Sequence, residues 1–107
     1  MLAGGFEVLT EHDAGGRTVL RLRGELDLAT VEKLRSALKD SVDSSRHVVI
    51  DLSELGFIDS SGLRELYRAT TASGRDGWRL ELVGTQGDVL QTIRMSGMDQ
   101  VLPLVGV

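Results

Sequence analysis

The feature that most restricts this chain is a short β-branched run, Val48-Val49-Ile50-Asp51-Leu52, set between two stretches with helical apolar spacing. Upstream, Leu28, Val31, Leu34, Leu38 and Val42 recur at steps of three and four, the stripe of an amphipathic helix. Downstream, Leu63, Leu66, Tyr67 and Thr70 fall on one helical face, with Arg64, Glu65 and Arg68 directed away from it. The run itself reads as a strand buried on both faces. Strands alternating with helices imply parallel crossovers, which are right-handed and therefore place the helices on one face of a sheet.

The remaining segments extend this pattern. Phe6 to Glu11 alternates, Asp13-Ala14-Gly15-Gly16 is a turn cluster, and Thr18 to Arg23 alternates again, which predicts an antiparallel hairpin. Gly24-Glu25-Leu26-Asp27 breaks the strand pattern, and Asp27 is placed to cap the first helix. Ser53 to Ile58 reads as a connection, and Ser73-Gly74 as the stop of the second helix. Trp78 to Val83 is a further strand. Thr85 can cap a third helix that carries Val89, Leu90 and Ile93 and ends at Gly97. Val101 to Val105 closes the chain as an edge strand, since Pro103 cannot donate to a ladder. The predicted order is β-β-α-β-α-β-α-β. The fold class is α/β: one domain over residues 1–107, a mixed sheet of about five strands, and helices packed mainly on one face.

Composition narrows the chemistry. Cysteine is absent, which removes disulfides, thiolate nucleophiles and Cys-based metal sites. His12 and His47 each lack a second His nearby, so no metal site and no cofactor are expected. The stretch Met1-Leu2-Ala3-Gly4-Gly5 lacks the basic and apolar regions of a signal peptide, and no apolar run approaches the roughly 18 residues that span a bilayer. A cytoplasmic location without membrane insertion is the expectation. The net charge is −4, and the two lysines, Lys33 and Lys39, share one helical segment. Duplex binding needs a basic face against phosphates, so direct nucleic-acid binding is not expected.

In folds of this kind the working site lies where strands end and helices begin. Two such segments stand out, Gly24-Glu25-Leu26-Asp27 and Asp59-Ser60-Ser61-Gly62. Ser60 and Ser61 fall at the predicted start of the second helix, where free N–H groups and the helix dipole tolerate a covalent phosphate. Gly62 removes a Cβ where a partner would approach the backbone. Asp and Ser before a helix are also the commonest capping residues, and the local pattern alone favours plain capping.

Family resemblance shifts that balance. Val48 to Leu63, centred on Ile58-Asp59-Ser60-Ser61-Gly62-Leu63, resembles the signature of bacterial anti-sigma factor antagonists, the STAS domains. Gly24-Glu25-Leu26-Asp27-Leu28-Ala29-Thr30 is similar to the family's Gly-Glu-Leu-Asp-x-x-Thr segment, and Met95-Ser96-Gly97-Met98 to its Met-Ser-Gly-Leu turn. The three motifs come in order and cover nearly the whole chain. The resemblance implies a non-enzymatic regulator that binds an anti-sigma factor serine kinase, is released when that kinase phosphorylates it, and is reset by a PP2C-type phosphatase. The acceptor maps onto Ser60, with Ser61 a cap or neighbour. Glu25, Asp27, Asp59, Ser61, Gly62 and Arg64 are the implied partner-binding residues. Many members continue Ser-Gly-Leu with small residues, whereas this chain has Arg64-Glu65.

Three other functions compete. A response-regulator receiver would use Asp51 as a strand-end phosphoacceptor, but it also needs a lysine near its last strand, and Lys33 and Lys39 both precede Asp51. A serine hydrolase needs a base beside Ser60, for which His47 is the nearest option in sequence, and a Gly-x-Ser-x-Gly elbow, which is missing. The third is a constitutive STAS interaction module of a stress-signalling or transport complex, using the same surface without phosphorylation.

Overall fold

The computed structural model describes residues 5–107, so Met1 to Gly4, part of the stretch read above for leader features, lies outside the described residues. The described chain opens with a hairpin of β1 (Phe6–His12) and β2 (Thr18–Leu26), paired antiparallel from Phe6 opposite Gly24 to His12 opposite Thr18. The Asp13 carboxylate closes its turn by accepting from the backbone N–H groups of Gly15 and Arg17, both at 2.9 Å. Then come α1 (Val31–Ser44), β3 (His47–Ile58), α2 (Ser60–Asp76), β4 (Arg79–Val83), α3 (Gly87–Met95) and a 3-10 turn over Met98–Gln100. The sheet order is β1-β2-β3-β4, with β3 parallel to both β2 and β4.

One face of the sheet makes the core. Leu20, Leu22 and Leu26 of β2, Val48, Ile50 and Leu52 of β3, and Leu80 and Leu82 of β4 pack in one cluster with Leu34 and Leu38 of α1, Leu63 and Leu66 of α2, and Val89 and Ile93 of α3. All three helices therefore cover the same face, as right-handed crossovers require. The opposite face carries Arg21, Arg23, His47, Asp51, Arg79 and Glu81 and, among the described residues, has no helix on it. Val49 points to that open face yet is buried, in register between Val19 and Glu81, which is why the Val48–Leu52 run looked doubly buried.

Among the described residues the sheet has four strands rather than about five. Val101 to Val105 contributes a single bridge, Leu104 opposite Leu82, held by Leu82 N–H to Pro103 O at 3.0 Å and Val105 N–H to Leu82 O at 2.9 Å. Pro103 has no N–H, so the ladder cannot grow. Conversely, β3 does not stop at Leu52 but runs through Ile58. Its pairing with β2 shifts register between Arg21 and Arg23 and again between Gly24 and Glu25. These irregularities put Leu52, Leu55 and Ile58 on the buried side at steps of three, so the alternation by which a strand is recognised is lost. Asp51 consequently lies inside β3 and not at a strand end.

The helix ends also differ from the sequence expectation. α2 passes through Gly74 and stops at Gly77, whose φ of 74° suits glycine and whose N–H reaches Ser73 O at 3.1 Å. α3 begins after Gln86, while Thr85 is buried, its hydroxyl without a hydrogen-bond partner among the described residues. Within α2, Tyr67 faces outward and Glu65 inward, the reverse of the expected arrangement. Glu65 is buried because Arg35 of α1 and Arg68 reach its carboxylate at 3.0 and 3.1 Å.

Candidate functional site

Two neighbouring strands end side by side at one pole of the sheet. Leu26 pairs with Ile58, and the Asp59 N–H donates to the Leu26 carbonyl at 3.2 Å. The Gly24-Glu25-Leu26-Asp27 and Asp59-Ser60-Ser61-Gly62 segments therefore form one continuous rim, although 35 positions separate Gly24 from Asp59. Gly24 makes the bend possible. Its φ is 100°, and a Cβ there would strike the Gly5 carbonyl oxygen at 1.7 Å.

The head of α2 is built by Asp59. Its Oδ1 accepts from the N–H of Ser61 at 2.9 Å and of Gly62 at 3.1 Å, satisfying two of the orphan donors of the first turn. Ser60, the first helical residue, is thereby left without capping duty. Its side chain is exposed and makes no hydrogen bond among the described residues. Ser61 is half-buried beside it.

Gly62 answers an internal need rather than a partner's approach. A Cβ there would lie 2.7 Å from Ile58 Cγ1 and 2.9 Å from both Leu26 Cγ and the Leu26 carbonyl oxygen. The glycine lets the head of α2 sit down on the ends of β2 and β3, which brings Ser60 level with the other segment. It is itself buried, with its N–H taken by Asp59.

Asp27 is not the cap of α1. The helix starts three residues later than expected, after Thr30, which offers no side-chain cap either. The Thr30 hydroxyl instead donates to the Glu25 carbonyl at 2.8 Å and accepts from the Asp27 N–H at 3.0 Å. Asp27 Oδ1 accepts from Ala29 N–H at 3.0 Å. Together these bonds fold residues 25–30 into a tight turn. Its consequence is that Leu28, expected on the buried stripe of α1, points outward with 76% of its surface exposed. Phe57, opposite Glu25 on β3, is 47% exposed. Sequence reading missed both, because one lay on a helical repeat and the other in an assumed connection. The turn-forming Asp-x-x-Thr segment was the signal that could have freed Leu28 from the helix.

The rim is charged as well as apolar. Glu25, Asp27 and Asp59 belong to it, and Arg64 lies one helical turn beyond Ser60. None of the four is in an ion pair among the described residues. Arg64 is exposed as expected.

The rival chemistries find no support in this arrangement. His47 starts the 12-residue strand β3 and Ser60 follows its end, so the two lie at opposite poles of the sheet. His47 Nε2 instead meets Glu81 Oε1 at 2.8 Å, and His12 Nδ1 meets Thr18 Oγ1 at 3.2 Å, both at the far pole. Asp51 is tied to Arg21 at 3.4 Å and accepts the Ser53 N–H at 2.9 Å. Among the described residues no cluster of His, Cys, Asp or Glu could hold a metal ion, and no helix is long and apolar enough to cross a membrane.

Comparison with known proteins agrees with this geometry. Residues 7–105 match the family model of the STAS domain. The anti-sigma-F factor antagonist RsfB of Mycobacterium tuberculosis is 32% identical over 97 residues, which covers 90% of this chain and 79% of RsfB. The crystal structure of an anti-sigma factor antagonist from Mycobacterium paratuberculosis matches with a TM-score of 0.83 at 28% identity, covering 99% of this chain and 92% of that one. The Bacillus cell fate determinant SpoIIAA, solved in its phosphorylated form, shares the fold with a TM-score of 0.69 at 20% identity, covering 94% of this chain and 92% of its own. Anti-sigma factor antagonists are non-enzymatic regulators, in agreement with the expectation that this chain is not an enzyme. With a family match from β1 to the final bridge and the three motifs gathered into one fold, this chain belongs to the STAS-domain family of anti-sigma factor antagonists.

Proposed function

We propose that this protein uses the rim to bind an anti-sigma factor that is itself a serine kinase, and that phosphorylation of Ser60 releases it. In the transfer, Ser60 Oγ attacks the γ-phosphorus of ATP held by the kinase. The new O–P bond forms as the bond to the β–γ bridging oxygen breaks, ADP leaves, and the hydroxyl proton passes to a base on the kinase. A PP2C-type phosphatase resets the protein by hydrolysis, with water supplying the fourth oxygen of the inorganic phosphate. Sigma-factor-dependent transcription follows the unphosphorylated form.

One observation carries this proposal: Asp59, not Ser60, caps α2, so the exposed Ser60 hydroxyl can accept a phosphate without costing the helix its cap. Glu25, Asp27, Asp59, Ser61 and Arg64 supply polar contacts around it, Gly62 the close packing that holds the helix head level with them, and Leu28 and Phe57 the apolar anchors. Phosphorylation adds about −1.5 to −2 charges beside Asp59. A thousandfold loss of affinity needs about 4 kcal/mol, which one unit-charge pair at about 4 Å and an effective dielectric near 20 supplies. No refolding is required.

The test is a pull-down from the source cell's lysate with wild type and Ser60→Asp as parallel baits. Wild type should bring down a small ATP-binding kinase that Ser60→Asp loses. Equal capture of the same proteins by both baits would overturn the switch.

A further inference from the structure

We propose that Arg64 is the built-in counter-ion of a phosphate on Ser60: its guanidinium pairs with that phosphate across one helical turn and holds it as the dianion at neutral pH. This deepens the proposal that Ser60 is the acceptor and rests on it.

Three of the four N–H groups that a helix start offers to a phosphate are already committed here. The N–H groups of Ser61 and Gly62 donate to Asp59 Oδ1, and that of Leu63 to the Asp59 carbonyl at 3.0 Å. The charges surrounding Ser60 are otherwise hostile. Asp59 is its neighbour in the chain, and Asp27 and Glu25 lie across the Leu26–Ile58 pairing. A phosphate's second ionisation, ordinarily near pH 6, is pushed up by nearby carboxylates, which disfavour the extra charge. At neutral pH such a phosphate would be partly monoanionic, and the repulsion that drives release would weaken.

Arg64 offsets this. Residues four apart are neighbours on a helix, and long helical side chains lean back toward the N-terminus, over the preceding turn. The other arginines of α1 and α2 are spent: Arg35 and Arg68 on Glu65, and Arg75 on Asp76. Arg64 is exposed and has neither ion pair nor side-chain hydrogen bond among the described residues. Its planar fork matches two phosphate oxygens. The result is a switch that carries its full charge at neutral pH despite three carboxylates on the same rim.

The experiment installs phosphoserine at position 60 by genetic encoding in the full chain and follows its 31P shift against pH. The same titration is run on phosphorylated Arg64→Ala and Arg64→Lys. Arg64→Ala should raise the phosphate's second pKa by about half a pH unit, a roughly threefold change in proton affinity, and Arg64→Lys should restore part of it. High salt should shrink the difference. Titrations of wild type and Arg64→Ala that coincide within about a tenth of a pH unit, or that shift in the opposite sense, overturn the proposal. Because no kinase is involved, failure here is distinct from failure of the Ser60 switch, which the paired baits read separately.

Discussion

Two charged regions of this molecule are treated in opposite ways. On the open face of the sheet nearly every charge is answered within the chain. Arg21 bridges Glu11, Asp51 and Glu54, Arg23 bridges Glu7 and Glu54, and Glu81 takes both His47 and Arg79. At the rim, Glu25, Asp27, Asp59 and Arg64 take no part in any such pair among the described residues, and Leu28 and Phe57 are exposed among them. Parallel strands are usually covered on both faces. Here a lattice of paired charges stands in for the missing layer and leaves little for another protein to bind, whereas the rim keeps its charges and apolar side chains available.

Substitutions can break or sharpen this contrast. The largest effect is expected at Ser60. Ser60→Asp should lower affinity for the anti-sigma partner about a thousandfold, about 4 kcal/mol, with an unchanged melting temperature, as read by calorimetric titration beside thermal unfolding. Next is Gly62→Ala, which forces a methyl into Leu26 and Ile58. It should cost about 2 kcal/mol in urea denaturation, and a neutral result would mean that the rim does not depend on that close approach. Leu28→Ala should lose about 1–2 kcal/mol of partner binding while leaving stability alone, since the side chain is already in solvent. Loss of stability instead would return Leu28 to the core. Arg21→Ala on the open face should do the converse, with about 1 kcal/mol or less of stability lost and partner affinity unchanged.

The smallest effect is the part of the pH dependence that the open face contributes. The hydrogen bond from His47, aided by the charges of Arg79 and His47, holds the Glu81 carboxyl below its ordinary range despite partial burial. Burial pushes Asp51 up, but the hydrogen bonds from Ser53 and Arg21 outweigh it and leave a lowered value. A carboxyl lowered by folding adds stability above its unfolded pKa and loses it as pH falls through the folded one. Stability should therefore decline below about pH 4, and Glu81→Gln should flatten that decline in denaturation midpoints measured from neutral to acid pH. An unchanged acid limb would remove this pair from the account.

Much of the architecture was legible from local pattern. The stripe from Val31 to Leu38 and the hairpin turn at Asp13 carry their own signals, because a helix or a turn is specified by residues within a few positions of one another. The cap at Asp59 belongs to the same class. Position 60 was legible as a candidate acceptor only through the order of three motifs, since Asp-Ser before a helix is equally an ordinary cap.

Other features were set at long range. β3 runs on past Leu52 because its bulges against β2 move the buried positions to every third residue, which no alternation test can detect. Glu65 turns inward because Arg35, 30 positions earlier, waits for it on α1. Gly62 is small because Leu26 and Ile58 crowd it, and Leu28 faces solvent because Thr30 bonds back to Glu25 and Asp27. The sequence by itself determined the order of the three helices and the approximate place of four strands, and that the Asp59-Ser60-Ser61-Gly62 loop meets the head of α2. Tertiary structure alone decided which side chains on those segments are buried, paired or free. The physical reason is that burial and pairing depend on atoms brought together from distant parts of the chain, whereas periodicity and caps do not.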